Sequence, residues 1–226
     1  MTKRRRAIER LVRSGQLLDV GSATGNFLHE MKRSGNWEVE GVEPNLEAAT
    51  HAEERLGLTV HRGDLCAVSL PTARYDVVTM WNVIEHLHAP MVNLREVARL
   101  LKDNGVFVFS IPNLRSWEAR RFGPYWMGWE LPRHLYYPSQ EAMAAMLDEV
   151  GLEMLHWDCL LGAYPSFLLT LRFRLQALAP DAWWVRAILA LCGSAPMQVA
   201  AIPVFGLLTR VRKASLITGF ARRRNR

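Results

Sequence analysis

Short apolar runs alternate with amphipathic stretches from residue 17 to about residue 160. Segments 17–20, 38–42, 58–61, 77–81 and 106–111 have the length and composition of buried or half-buried strands, and each is followed by a helix-compatible segment. That order predicts an α/β fold: a doubly wound, mostly parallel sheet with helices on both faces. The clearest predicted helix is NLREVARLLKDNG, residues 93–105. Leu94, Val97, Ala98 and Leu101 form one apolar stripe there, Lys102 falls in the last turn, and Gly105 is placed to cap the end. SQEAMAAMLDEVG, residues 139–151, repeats this grammar with Ser139 as N-cap and Gly151 as terminator.

The pattern changes beyond residue 160. Residues 187–209 carry no charge and are flanked by Arg186 and a basic end. The run has the length of a bilayer crossing, but Gly193, Pro196 and Pro203, with the polar Ser194 and Gln198, interrupt a straight span. Three readings stay open: membrane contact, whether as a crossing or as a re-entrant or interfacial hairpin with positive flanks, a helical cap over an active site, and a buried dimer surface. The chain is accordingly divided into residues 1–160, the main domain, and residues 161–226, a C-terminal apolar helical segment with possible membrane contact.

Charge sharpens this picture more than composition does. The formal net charge of +6 is concentrated at the ends: Lys3, Arg4, Arg5, Arg6, Arg10 and Arg13 at the start, and Arg210, Arg212, Lys213, Arg222, Arg223, Arg224 and Arg226 at the finish. Such clusters either sit solvated or neutralise phosphates, in nucleic acid or in anionic lipid headgroups. The first basic run does not lead into a signal-peptide apolar stretch. Cys66, Cys159 and Cys192 have neither disulfide-framework nor zinc-ligand spacing. A cytoplasmic setting, alone or at the inner face of a membrane, is expected.

Candidate chemistry begins at LDVGSATGNF. A dinucleotide fingerprint asks for glycines at the first, third and sixth positions of the turn, and here those positions hold Gly21, Ala23 and Asn26. NAD is disfavoured. The turn Asp19-x-Gly21-Ser22-Ala23-Thr24-Gly25 instead resembles the first motif of class I S-adenosylmethionine-dependent methyltransferases, with Ala23 in place of the middle glycine. Three further segments match the family in order: Glu43 in EGVEP, Asp64 with Leu65 in HRGDL, and MWNVIEHLHAP containing Asn82, Glu85 and His86. The resemblance covers roughly residues 16–155. It implies a Rossmann-like fold and S-adenosyl-L-methionine as cofactor, held by Asp19, Gly21, Ser22, Ala23, Gly25, Glu43, Asp64, Leu65 and Asn82, with Glu43 on the ribose hydroxyls and Asp64 facing the adenine amino group.

The segment IPNLRSWEARRFGPYWMGWELPRHLYY resembles bacterial and archaeal methyltransferases that carry Pro-Asn after the fifth strand and a Pro-Arg-His-Leu segment before the next helix. Their acceptor classes suggest a small-molecule, glycan or lipid-linked substrate. His134 is the first candidate for general base and His86 the second, with Glu85 holding His86. Arg133 suits an acidic acceptor, while Tyr125, Trp126 and Trp129 offer flat apolar walls. His134 and the tryptophans have bland alternatives too, as satisfied core groups of a lid. No metal-ligand spacing is present, so metal independence is expected. The rival functions are an RNA or protein methyltransferase, a cofactor-binding scaffold that regulates a partner, and an NAD-dependent reductase. Nucleic acid is not expected as a partner, because IPN is not an amino-base motif and no RNA-binding module is evident. The sequence leaves the oligomeric state open.

Overall fold

The computed structural model describes residues 2–160 and 163–224. Seven strands form one sheet: β1 (Gly15–Val20), β2 (Trp37–Glu43), β3 (Thr59–Arg62), β4 (Tyr75–Trp81), β5 (Leu101–Pro112), β6 (Leu152–Asp158) and β7 (Leu216–Arg223), in the order β3-β2-β1-β4-β5-β7-β6. β1 pairs in parallel with β2 and β4, β2 with β3, and β4 with β5. All five strand segments expected from the apolar runs are present. The helices are α1 (Thr2–Glu9), α2 (Asn26–Arg33), α3 (Leu46–Leu56), α4 (Pro90–Leu100), α5 (Trp117–Phe122), α6 (Gln140–Glu149), α7 (Ala163–Leu178), α8 (Trp183–Gly193) and α9 (Ala195–Arg210).

The chain divides into two compact units. The first comprises residues up to 110, 138–157 and from 219 onward; the second comprises 111–137 and 158–218. In the first, Leu17, Leu18, Val77, Val78, Phe107 and Phe109 are fully buried at the centre of the sheet, as expected for parallel strands covered on both faces. α2 and α4 turn Leu28, Met31, Leu94, Val97 and Leu100 inward. α6 starts at the predicted Ser139 cap, whose hydroxyl accepts from the Ala142 amide at 3.1 Å, and Gly151 follows its end at φ +78°.

Two expectations are corrected. The helix predicted over residues 93–105 stops at Leu100, because Leu101 pairs with Tyr75 as the first residue of β5. The register then slips between Tyr75 and Val77, opposite Leu101 and Val106, so the intervening residues bulge; Asn104 takes φ +62° and Lys102 Nζ pairs with Asp76 at 2.8 Å. Gly105 therefore serves a strand irregularity and not a helix cap. Second, the C-terminal segment is not helical throughout. Its end returns as β7, where Gly219 admits the Phe109 ring: a Cβ there would lie 2.3 Å from it. Phe220 stacks on His156 at 4.4 Å. The basic end is partly spent on this strand, with Arg223 donating to the Leu101 carbonyl and Arg224 paired with Asp148.

The second unit is held by an aromatic cluster of its own, half-buried except for exposed Trp117. Trp117, Phe122, Tyr164, Phe167 and Phe205 form a chain of ring contacts at 5.0 to 6.2 Å. Beneath it lies a buried polar network: Thr170 Oγ1 donates to Glu118 Oε2 at 2.9 Å and accepts from the Met127 amide at 3.1 Å, while Trp126 Nε1 donates to Ser215 Oγ at 2.9 Å. Burial pushes the Glu118 carboxyl up, opposed by its bonds to Ser215 and Thr170. Asn113 Nδ2 ties down the chain after α9 through the Arg212 and Ala214 carbonyls at 3.1 and 2.9 Å. No single helix among the described residues is long and apolar enough to cross a membrane, but α8 and α9 form an apolar pair bent by 69°.

Candidate functional site

The strand registers bring four turns to one edge of the first unit. Val20 pairs with Val42 and Met80, and Glu43 with Arg62, so the turns after β1, β2, β3 and β4 leave the sheet together at its C-terminal edge. The strand order also reverses between β1 and β4, and open parallel sheets bind ligands at such a point. Asp19, Gly21–Gly25, Glu43, Asp64, Leu65 and Asn82 all lie there or in the turns that follow.

The turn after β1 is held in an unusual shape. Gly21, Ala23 and Gly25 all have positive φ, at +71°, +48° and +77°. For the glycines this is free of strain, and close packing also forbids a side chain: a Cβ would sit 2.6 Å from Val83 at position 21 and 2.5 Å from Leu58 at position 25. Ala23 occupies the left-handed region at a cost. It is held there by Glu43, whose Oε2 accepts from the Ala23 amide at 2.7 Å while Oε1 accepts from the Asn45 amide at 2.9 Å. The carboxylate thus fastens the loop to the end of β2, and each oxygen keeps a lone pair for a ligand.

Asp19 is buried beneath the loop and accepts from Thr79 Oγ1 at 2.5 Å. Burial pushes its carboxyl up to about 7, against the Thr79 bond and the Arg4 charge, with Glu43 adding to the rise. Arg4, from α1, lies over the Trp81 ring at 4.4 Å, and burial lowers its pKa against the pull of Asp19 and Glu30. In the sequence Arg4 is one of a basic run; only the folding of α1, with Ala7 and Ile8 buried, separates it from its neighbours. Asn82 has φ +57° and is locked by Ser110, its Oδ1 accepting from Ser110 Oγ at 2.7 Å. Leu65 is buried, whereas Asp64 is exposed. His86 is half-buried on a one-turn 3₁₀ helix (Ile84–His86) beside the fully buried Glu85.

Residues 1–157 match the family described as Methyltransferase domain. The chain belongs to that family, the class I S-adenosylmethionine-dependent methyltransferases. Among its relatives, an enzyme named ubiquinone biosynthesis O-methyltransferase from Cereibacter sphaeroides is 32% identical over 125 residues, covering 52% of this chain and 50% of that protein. A probable S-adenosylmethionine-dependent methyltransferase from Mycolicibacterium smegmatis is 28% identical over 117 residues, covering 51% and 44%. The match thus spans about half the length of these curated relatives. A solved S-adenosylmethionine-dependent methyltransferase from Archaeoglobus fulgidus has the same fold, with a TM-score of 0.65 at 17% identity, covering 98% of this chain and 92% of that one.

The first unit fits the family's cofactor on its own chemistry. Asp19, Glu43 and Asp64 offer carboxylates to a ligand rich in hydroxyl, amino and cationic groups. Of the buried polar atoms without a hydrogen-bond partner among the described residues, Ser22 Oγ and Trp81 Nε1 lie in or beside these turns, where a ligand or water could complete them.

In the second unit, the structure places the expected acceptor-side residues unevenly. Trp126 is a core residue, 1% exposed, and its indole is spent on Ser215. Trp129 is half-buried, packs edge-on against Trp126 and Tyr137, and donates to the Gly123 carbonyl at 2.9 Å. Tyr125 lies under the Arg174 guanidinium at 4.7 Å, and exposed Arg133 pairs with Glu130 at 2.6 Å. His134 is buried; its Nδ1 lies 2.8 Å from the Gly128 carbonyl and its Nε2 3.3 Å from Glu130. A carbonyl can only accept, so Nδ1 carries a proton and Nε2 faces the carboxylate.

Proposed function

We propose that this protein transfers a methyl group to an oxygen of a small, largely apolar acceptor of phenolic, quinone-precursor type, free or lipid-linked and met at a membrane surface. The observation that carries the reading is the Glu43-fastened loop with Asp19 and Asp64 at one sheet edge, in a chain whose relatives include proteins named as O-methyltransferases. When bound, S-adenosylmethionine supplies a methyl group on a sulfonium, already a strong electrophile. The residues' work is therefore alignment, exclusion of water and removal of the acceptor proton.

Glu43 would accept the ribose hydroxyls while holding the loop, and Asp19 would place a charge beneath the amino-acid portion. Asp64 and Leu65 would receive the adenine, with Asn82 beside it. His134 is proposed as the base: in its neutral form the Nδ1 bond to Gly128 leaves the lone pair at Nε2, and Glu130 would stabilise the proton once taken. His86 is the second candidate. Tyr125, Trp129 and Arg133 are proposed to contact the acceptor, and Trp126 to support them from the core.

The test is transfer of labelled methyl from S-adenosylmethionine to a catechol bearing an apolar tail, beside bulk transfer RNA and a protein mixture. Incorporation into the catechol as a methyl ether, reduced about 100-fold or more in His134→Gln, supports the reading. Incorporation into RNA or protein would replace the acceptor class. Cofactor binding without transfer to any of the three would favour a scaffold role.

A further inference from the structure

The hairpin of α8 and α9 presents an apolar face that its own unit leaves uncovered. α9 buries no residue in the described structure, and α8 buries only Val185. Trp183, Val199, Ile202, Val204 and Leu207 are 60 to 74% exposed. An apolar surface of this extent marks an interaction site. The charge around it is mainly positive: exposed Asp181 precedes α8, but from Ala182 onward the sequence contains no acid, while Arg186, Arg210, Arg212 and Lys213 lie along or border the hairpin.

A cavity of about 410 Å³ opens at the basic end of α9, lined by Trp117, Arg120, Arg121, Leu208 and Lys213. Backbone bonds fix its frame, from the Trp117 amide to the Lys213 carbonyl at 3.0 Å and from the Lys213 amide to the Leu208 carbonyl at 2.7 Å. Arg5, Arg62, Arg74, Arg95, Arg99 and Lys102 are each paired with an acid. The side chains of Arg120, Arg121 and Lys213 have no acid within ion-pair distance among the described residues. Three uncompensated cations over a floor of Trp117 and Leu208 match a phosphate diester attached to an apolar tail.

We propose that the second unit docks on an anionic phospholipid bilayer, with α8 and α9 lying in the interface and one lipid phosphate seated between Arg120, Arg121 and Lys213. The inference deepens the proposed membrane-linked acceptor and rests on that reading for its purpose. Helices of 11 and 16 residues reach about 16 and 24 Å, short of the ~30 Å hydrocarbon core, and their 69° bend prevents a straight crossing. Their exposed apolar surface and cationic border suit burial at the headgroup boundary, and Trp183 and Trp184 have the character of headgroup-level anchors. A second copy seated on this face would set cations against the same cations.

Flotation of the full chain with phosphatidylcholine vesicles, with and without one-third phosphatidylglycerol, tests this directly. Each variant is first required to bind S-adenosylhomocysteine like the wild type and to keep its circular dichroism. The chain is expected to float with the anionic vesicles. Arg120→Ala/Arg121→Ala/Lys213→Ala should weaken partitioning roughly 100-fold at low salt, about fivefold per cation, and Ile202→Glu/Val204→Glu should abolish flotation. No flotation on anionic vesicles by a chain that binds S-adenosylhomocysteine overturns the proposal. So does equal flotation of all three proteins, or a lipid-free dimer that Ile202→Glu/Val204→Glu makes monomeric. Failure of the wild type to bind S-adenosylhomocysteine would instead strike the methyltransfer reading, and flotation would still decide the docking.

Discussion

Glu43 illustrates how a side chain assigned to a ligand can first be a fastener. Both its oxygens hold backbone amides, one of them from Ala23, a residue kept at φ +48°. Ala23→Gly should relieve that strain and stabilise the protein by about 1 kcal/mol, read as a rise in Tm with cofactor affinity retained. Asp19 gives the site a pH dependence. Its folded pKa of about 7 stands above the ordinary 3.8, so folding favours the protonated form. Stability is therefore lost as pH rises from about 4 towards 7, and the penalty is complete above that window. Asp19→Asn should abolish this slope in urea titrations and be more stable than wild type at about pH 8. A cationic ligand beside Asp19 favours the carboxylate, so S-adenosylmethionine binding near neutrality should release protons, seen as a buffer-dependent heat in calorimetry.

At the scale of elements, β7 depends on a residue that hides it from a pattern reading. Gly219 leaves room for the Phe109 ring, and Gly219→Ala should destabilise the first unit by about 1–3 kcal/mol in urea unfolding. In the second unit, Thr170→Val removes a donor to Glu118 and an acceptor for Met127. A cost of about 1–3 kcal/mol is expected there, smaller at low pH where Glu118 is neutral. The glycine turn and its acids were legible in the sequence because strand, turn and helix N-terminus are local grammar. Ser139 and Gly151 were legible for the same reason. The end of α4 was not: Leu101 continues the helical stripe and leaves it only because Tyr75 offers a strand partner. β7 was obscured by Gly219 and its arginines, and the burial of Trp126 depends on Ser215, a contact distant in sequence.

At the scale of the molecule, the chain's cations separate into different jobs. Arg4 and Arg5 face acids within the first unit, Arg223 and Arg224 secure β7, and Arg120, Arg121 and Lys213 form a cationic pocket. Net charge alone cannot make that division, since it depends on where acids fall in the fold. The most direct measurement is calorimetric titration of the full chain with S-adenosylmethionine, S-adenosylhomocysteine and NAD, beside Glu43→Ala. Micromolar binding of both adenosyl ligands, no heat with NAD, and a loss of about 1–3 kcal/mol in a folded Glu43→Ala variant are predicted. Absence of adenosyl binding, preference for NAD, or unchanged affinity in Glu43→Ala would contradict a cofactor site built on the Glu43-fastened loop.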